Sequence, residues 1–237
     1  MKTNLNYDMF VPTRTLFGAG TLNELHAQPM PGRKALLVIS NGRSTRANSY
    51  LSRTEEQLRM AGVETVLFDR VEANPLKSTV MAGGAMAREN GCDMIVALGG
   101  GSVMDAAKAI AVVASNGGDY WDYIPCGTGK GKAVAETPLP IGATAGTGSE
   151  TDAGCVITNA ETHEKTGFVH PGLFPVLAVI DPELMLTVPP KFTAFQGFDA
   201  LFHSTEAYIS NAANLMSDMY ALNAIENVAR YLPRAVA

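Results

Sequence analysis

The chain has 237 residues, of which 46% are hydrophobic and 17% charged, a composition that suits one large or two small globular domains. Eighteen basic and 23 acidic residues give a net charge of −5 without a block of like charge, so neither nucleic acid nor an anionic membrane is predicted as a partner. Three cysteines without a C-x-x-C pair argue against a disulfide framework and against a zinc ribbon. Because no apolar leader or membrane-span pattern is present, we expect a cytoplasmic protein.

The first part of the chain alternates apolar strands with helical patterns. A strand-like run over residues 10–17 contains Pro12, which favours an edge position. Apolar strands are predicted over residues 35–39, 64–68 and 95–98, each followed by a helix. Three such units in succession predict an α/β fold with a parallel sheet and helices on both faces. Ligands in such sheets bind at the carboxyl ends of strands, where Ser40, Asn74 and the glycines after residue 98 fall.

The strand over residues 95–98 leads through Gly99, Gly100 and Gly101 into an alanine-rich helix. Glycines let the backbone approach a ligand closely, and the first helical turn offers unpaired N–H groups at the positive end of the helix dipole. We therefore expect a phosphate-binding turn, with Ser102 as the helix N-cap and Asp105 in the capping-box position. The alternative is a tight strand-to-helix turn without a ligand, because the segment is not the G-x-G-x-x-G fingerprint.

A second loop of small residues, GATAGTGSE over residues 142–150, follows a strand predicted over residues 138–141. Its hydroxyl side chains, including those of Thr144 and Thr147, can donate hydrogen bonds to phosphate or ribose. The alternative is a flexible surface loop. Before it, a glycine-rich insertion over residues 116–132 holds Trp121, which is expected to pin the insertion to the domain.

From Pro190 onward the pattern is helical, with apolar residues at three- and four-residue steps. We place a domain boundary near residue 186, which gives a first domain over residues 1–186 and the opening helices of a second over residues 187–237. Asp199 and His203 lie four residues apart on one helix face, so the pair can chelate a divalent cation such as Fe²⁺ or Zn²⁺. A capping or surface ion pair is the alternative.

Three segments resemble motifs of the iron-containing (group III) alcohol dehydrogenases. They are GGGSVMDAAK over residues 99–108, ATAGTGSE over 143–150 and DALFHSTE over 199–206, which are similar to the family's GGGSxxDxAK, TTAGTGSE and DAxxHxxE. The resemblance implies a Rossmann-like parallel-sheet domain followed by the start of an all-helical metal-binding domain, as in dehydroquinate synthase-like folds. It also implies hydride transfer between NAD or NADP and a small alcohol or aldehyde, with Asp199 and His203 as two of four ligands to Fe²⁺ or Zn²⁺.

The residues expected to bind the dinucleotide, from position and from the resemblance, form one set. They are Ser40, Asn74, Gly99, Gly100, Gly101, Ser102, Asp105, Thr144, Thr147 and Lys165. Lys165 stands where the family places a cofactor-contacting lysine. The strand that ends at Ser40 lacks the aspartate of many NAD-preferring relatives, so no acid is expected to repel a 2′-phosphate and Arg43 can pair with one. We therefore expect NADP to bind at least as well as NAD.

The sequence departs from the family pattern in two respects. Ala143 replaces the first threonine of the second loop, and the family's two later histidine ligands are missing. The histidines elsewhere in the chain, His26, His163 and His170, match nothing in the metal pattern. We therefore expect the N-terminal portion of a longer enzyme. A catalytically inactive dinucleotide-binding fragment and a glycerol dehydrogenase-like polyol oxidoreductase are the alternatives, and a homo-oligomer is left open.

Overall fold

The computed structural model describes residues 6–144 and 148–237. It divides into two compact units, Val11–Met185 and a second unit formed by Leu186–Ala237 with the described residues before Val11. The larger unit contains every described strand, and the smaller contains two long helices. Within the described ranges, no helix is both long and apolar enough to cross a membrane.

A parallel sheet forms the centre of the larger unit. The strands are β1 Arg14–Phe17, β2 Lys34–Ser40, β3 Glu64–Val71, β4 Met94–Leu98, β5 Ile141–Thr144, β6 Gly154–Asn159, β7 Glu164–Val169 and β8 Leu177–Ile180. Six of them pair in the order β1-β8-β5-β4-β2-β3, with β1 at the edge as expected, and β6 and β7 form a separate antiparallel hairpin.

Helices surround the sheet and make up the smaller unit. The α-helices are α1 Ser44–Ala47, α2 Tyr50–Met60, α3 Lys77–Glu89, α4 Gly101–Asn116, α5 Pro190–Ile209 and α6 Leu215–Val236. Short 3₁₀ helices span Thr21–Ala27, Tyr120–Tyr123, Ser149–Thr151, Pro171–Leu173 and Pro182–Met185.

The sheet is buried on both faces because its strands alternate their side chains between two hydrophobic layers. Leu36 and Val38 of β2 pack with α3 and α4 in one layer, whereas Leu37 and Ile39 pack with α2 in the other. All four side chains are fully buried, as is typical of the near-continuous apolar runs of parallel strands. The predicted α/β fold with helices on both faces is confirmed.

Two glycines of α3 let this helix lie close to α4. A Cβ atom added at Gly84 would stand 2.7 Å from Cγ1 of Val113, and one added at Gly83 would meet the Ile110 side chain. Residues 103–113 of α4 are buried, apart from Asp105. Because α4 is packed between α3 and the sheet, the position of its first turn is fixed.

The strand order places a topological switch point between β2 and β4. The chain runs from β2 outward to β3 on one side and then returns to β4 on the other. Open α/β sheets bind ligands outside the carboxyl ends of the strands at such a point. Ser40 ends β2 and Gly99 follows β4, so two of the predicted binding segments flank the switch point.

One local expectation is wrong, and one strand was not predicted. The strand expected over residues 138–141 begins at Ile141 and continues to Thr144, so part of the expected loop belongs to β5. The polar stretch before residue 177 contains a strand, β7, that pairs with β6. Most residues of β7 are partly or fully exposed. It therefore lacks the apolar run by which buried strands are detected from sequence.

The smaller unit consists of α5 and α6, the two helices expected after Pro190. Asn214 caps α6 through a capping box with Ser217. Within this described unit, α5 buries no residue and α6 buries Ala221. The exposed large apolar side chains are Phe192, Phe195, Phe198, Phe202, Ile209, Leu215, Met219, Tyr220, Leu222 and Tyr231.

Candidate functional site

The phosphate turn, residues 99–102, enters α4 without a side-chain cap among the described residues. Gly100 is the N-cap residue, in an extended conformation with φ −80° and ψ −169°. The N–H group of Val103 donates to the Gly100 carbonyl oxygen at 3.0 Å. The N–H groups of Gly101 and Ser102 therefore stand at the helix start, where a helix offers them no internal partner. Such a terminus can bind an anion.

Gly99 has a packing reason to be glycine. Its φ is 158°, and an added Cβ would stand 2.7 Å from Cγ2 of Val103, so β4 and α4 meet too closely there for a side chain. Ser102 is the second helical residue and not the N-cap, so the expected capping box with Asp105 is wrong. The helix begins two residues earlier than expected because Gly100 supplies the extended cap residue.

Asp105 has protein partners on both carboxylate oxygens. Oδ1 accepts a hydrogen bond from the Ser149 hydroxyl at 3.2 Å, and Oδ2 accepts one from the Val156 N–H at 3.0 Å. Burial raises the pKa of Asp105, and the Val156 hydrogen bond and the nearby Lys108 charge act in the opposite direction. Asp105 therefore links α4 both to β6, through Val156, and to the segment before β6, through Ser149.

Lys108, which the sequence analysis did not single out, is fully buried in α4. Its Nζ lies 2.7 Å from the Ser149 carbonyl oxygen, 2.7 Å from Asp152 Oδ1 and 2.8 Å from the Gly154 carbonyl oxygen. The signal in the sequence is a lysine inside an otherwise small and apolar run, AAKAIAVVA. Buried lysines are rare unless they are paired, so such a lysine predicts a specific partner.

The second loop starts beside the phosphate turn. Thr144, the last residue of β5, pairs with Leu98 of β4 and with Val179 of β8, which brings the carboxyl ends of β4 and β5 together. Thr147 lies outside the described residues. After it, the Gly148 N–H donates to the buried Glu150 carboxylate at 2.9 Å, which tightens the 3₁₀ turn.

A cavity of about 360 Å³ lies at the carboxyl end of β2. Its walls are Ser40, Asn41, Gly42, Arg43, Arg46, Ala47 and Asp69. Arg46 and Asp69 form an ion pair of 2.6 Å whose side chains are both about half exposed. The expectation that no acid faces a 2′-phosphate here is therefore wrong, because Asp69 reaches the cavity from the neighbouring strand β3. Its charge is paired, and Arg43 stands in the same cavity.

The structure brings two other predicted cofactor residues together. Lys165 Nζ donates to Asn74 Oδ1 at 2.7 Å, so the β6–β7 hairpin contacts the turn after β3. Asn74 has a left-handed backbone, with φ 55°, a conformation that asparagine tolerates better than most residues. The Lys165 side chain is exposed, which leaves its remaining donors open to solvent.

Glu164 joins the glycine-rich insertion to the hairpin. Its carboxylate accepts hydrogen bonds from the hydroxyls of Thr128 and Thr162, from the Thr128 N–H and from Trp121 Nε1. These bonds, the Thr128 hydroxyl first, lower the pKa of Glu164 to about 2. Trp121 is buried, so its expected role in pinning the insertion is confirmed.

Asp199 and His203 project together from α5. Asp199 Oδ1 lies 3.4 Å from His203 Nε2, and the side chains are 68% and 69% exposed. A carboxylate oxygen and an imidazole nitrogen are suitable as two of the ligands of an Fe²⁺ or Zn²⁺ ion. Across residues 6–144 and 148–237, no group of three or more His, Cys, Asp or Glu side chains is placed to hold a metal ion.

The doubly wound sheet and its glycine turn define the class of α/β proteins that bind ligands at the carboxyl edge of the sheet. Comparison with protein families narrows this class. The family described as iron-containing alcohol dehydrogenase matches residues 12–182, and the C-terminal part of the Fe-containing alcohol dehydrogenase family matches residues 193–237. The chain belongs to the iron-containing alcohol dehydrogenase family.

Individual relatives agree with this assignment. The 1,3-propanediol dehydrogenase of Klebsiella pneumoniae is 39% identical over 237 residues, covering 98% of this chain and 60% of the relative. The crystal structure of an archaeal halo-thermophilic Red Sea brine pool alcohol dehydrogenase is 37% identical with a TM-score of 0.91, covering 98% and 60% of the two chains. A sulfoacetaldehyde reductase from Bifidobacterium kashiwanohense, in complex with NAD⁺, is 31% identical with a TM-score of 0.87, covering 98% and 61%. The chain thus spans about 60% of the length of these relatives.

Proposed function

We propose that this chain belongs to an oxidoreductase that transfers hydride between the nicotinamide of a bound dinucleotide and the oxygen-bearing carbon of a small alcohol or aldehyde. The observation that carries the proposal is the start of α4, which lacks a side-chain cap among the described residues and lies at the switch point of the sheet. A pyrophosphate suits this position because the N–H groups and the helix dipole both favour negative charge. Family membership supports the same chemistry.

The dinucleotide is proposed to lie across the carboxyl ends of β2, β4 and β5. Residues 99–102 hold the pyrophosphate, and the cavity beside Ser40 takes the adenosine ribose. Thr144 and Thr147, with Lys165 and Asn74, are proposed to contact the remaining phosphate and ribose oxygens. Asp105 positions Ser149 and Val156 and does not contact the dinucleotide itself, because these two residues donate hydrogen bonds to both of its carboxylate oxygens.

We propose that NADP binds at least as well as NAD. The cavity beside β2 carries two guanidinium groups and one carboxylate, so its net charge favours a 2′-phosphate. Arg46 already has a partner in Asp69, which leaves Arg43 as the first residue to pair with the phosphate.

Asp199 and His203 are the residues proposed to hold Fe²⁺, with Zn²⁺ as the alternative. When bound, such a metal supplies a Lewis acid for the oxygen of the substrate. Two ligands hold an ion weakly, since sites of this kind use three or more. We propose residues 1–186 as the dinucleotide-binding domain and residues 187–237 as the first helices of the metal-binding domain. A cytoplasmic location and a homo-oligomer stay expectations from the sequence.

The second candidate is a dinucleotide-binding module without catalysis, which the two-ligand metal pair favours. Fluorescence titration of the chain with NADH and NADPH tests binding. Oxidation of 1-butanol and 1,3-propanediol, with Fe²⁺ or Zn²⁺ added, tests turnover. Binding with turnover supports the oxidoreductase, binding without turnover supports the module, and saturable binding of neither nucleotide overturns both. Turnover of glycerol in preference to both alcohols would instead indicate a polyol oxidoreductase.

A further inference from the structure

The charged group most completely enclosed in α4 is the Lys108 ammonium. It is fully buried and lies within 3.0 Å of four acceptors, namely the Ser149 and Gly154 carbonyl oxygens, the Ser149 hydroxyl and Asp152 Oδ1. Burying an ammonium is costly unless hydrogen bonds replace its water shell. The side chain is thus held in one place by partners that supply this replacement.

All four acceptors come from the same stretch of chain, residues 149–154, which we call the anchored segment. One helical turn before Lys108, Asp105 holds the Ser149 hydroxyl and the Val156 N–H. A lysine and an aspartate three residues apart lie on the same helix face. The aspartate and the lysine of α4 therefore both bind Ser149, and Lys108 also holds the rest of the anchored segment through Asp152 and Gly154.

The position of the anchored segment matters because of where it stands along the sheet. It leads from β5 to β6, and β5 lies on the side of β4 opposite to β2. The adenosine cavity is at β2 and the phosphate turn is at β4. A dinucleotide whose adenosine lies at β2 and whose pyrophosphate lies at β4 would extend its nicotinamide half toward β5, the strand from which the anchored segment leads.

We propose that Lys108 is a positioning residue for the nicotinamide half of the dinucleotide, because it holds residues 149–154 against α4 beside the phosphate turn. This inference rests on the proposed function. Lys108 does not touch the cofactor. Its removal leaves the adenosine and pyrophosphate contacts in place and loosens the opposite wall of the site.

The test compares NADH with ADP, which keeps the adenosine and pyrophosphate but lacks the nicotinamide riboside. In Lys108→Met, the Kd for NADH measured by fluorescence should rise about tenfold, the expected loss from charge-assisted bonds, while the Kd for ADP measured by calorimetry stays within about twofold. Equal Kd values for NADH in the variant and the wild type would overturn the inference. So would an equal loss for both nucleotides, since that indicates a general loss of structure. A wild-type chain that binds neither nucleotide would instead refute the proposed function itself.

The matched control is Lys34→Met. Lys34 pairs with Glu64 at 2.9 Å where β2 and β3 begin, so it stands at the opposite edge of the sheet. This variant should bind NADH and ADP as the wild type does. A rise in the NADH Kd equal to that of Lys108→Met would show that loss of any paired lysine has the same effect, and would overturn the inference.

A double variant separates positioning from stability. Lys108→Met/Asp152→Asn also removes the carboxylate left without its cation, so its Tm should exceed that of Lys108→Met while NADH affinity stays low. Recovery of NADH affinity together with Tm would show a purely structural role.

If neither variant folds, Asp152→Asn alone keeps the other three acceptors of Lys108 and should raise the NADH Kd about twofold or more without affecting the Kd for ADP. No change in either Kd would contradict the inference.

Discussion

Asp69 shows how a residue from a neighbouring strand alters a ligand cavity. The sequence around Ser40 contains no acid before Arg43, yet the fold places the Asp69 carboxylate in the same cavity and pairs it with Arg46. Because Asp69 lies 29 residues after Ser40, the sequence around Ser40 does not predict that the two residues share a cavity. It becomes visible only through the parallel pairing of β2 with β3.

This cavity gives a prediction on cofactor choice. Asp69→Asn releases Arg46 for a 2′-phosphate and should raise the affinity ratio of NADPH to NADH about threefold or more, whereas Ser40→Asp should lower it. Fluorescence titration of both nucleotides against both variants measures the ratio. A ratio that stays at the wild-type value in both would show that the cavity does not take the 2′ position.

Glu164 gives a prediction on pH. Its pKa is lowered from 4.5 to about 2 in the folded chain, so its ionised form stabilises the fold above pH 4.5. This contribution is lost as the pH falls from 4.5 toward 2. Thermal unfolding between pH 2 and pH 6 should show a shallower acid decline of Tm for Glu164→Gln than for the wild type. The exposed acid Glu24 provides the control, and an equal decline in Glu24→Gln and Glu164→Gln would contradict the assignment.

Asp199 and His203 give a prediction on metal content. Only this pair is available for a shared ion on α5, and two ligands hold an ion weakly. After dialysis against metal-free buffer, elemental analysis should find far less than one equivalent of iron or zinc. One full equivalent retained by a monomer would be inconsistent with this, and would mean that His163, His170 or other groups complete the site.

At the scale of elements, an apolar run or a helical repeat of apolar residues is sufficient to predict an element from the sequence. The strands β2, β3 and β4 were predicted because each is an apolar run between turns, and α5 and α6 because their apolar residues repeat at helical spacing. No strand was assigned from the sequence at β7, because its side chains are largely exposed. This strand is defined by its hydrogen bonds to β6, and such pairing leaves no pattern in the sequence of β7.

The phosphate turn shows the same limit within one element. Three glycines between a strand and a helix were sufficient to predict its location. They did not reveal that Gly99 is required by the close approach of Val103, or that Gly100 caps the helix. Lys108 was missed because its partners lie more than 40 residues away in sequence, and only the folded chain brings them to α4.

At the scale of the whole molecule, the two compact units differ in burial. Residues 35–39 of β2 and all residues of β4 are fully or almost fully buried, whereas α5 has no buried residue within the described chain. Backbone amides open more readily where few apolar contacts hold them. Amide hydrogen exchange should therefore be at least about tenfold slower in β2 and β4 than in α5 and α6. Comparable protection in the helices would show that contacts beyond those described cover their apolar faces.

Gly101→Val is the sharpest test of whether the phosphate turn binds the pyrophosphate of a nicotinamide dinucleotide. A branched side chain at the first residue of α4 fills the space beside the N–H groups of Gly101 and Ser102, but valine is tolerated in a helical conformation. NADH titration should give saturable binding by the wild type and a loss of at least about tenfold in the variant, with an unchanged circular dichroism spectrum. Unchanged NADH affinity in a folded Gly101→Val chain would contradict the claim and reduce the turn to a purely structural connection.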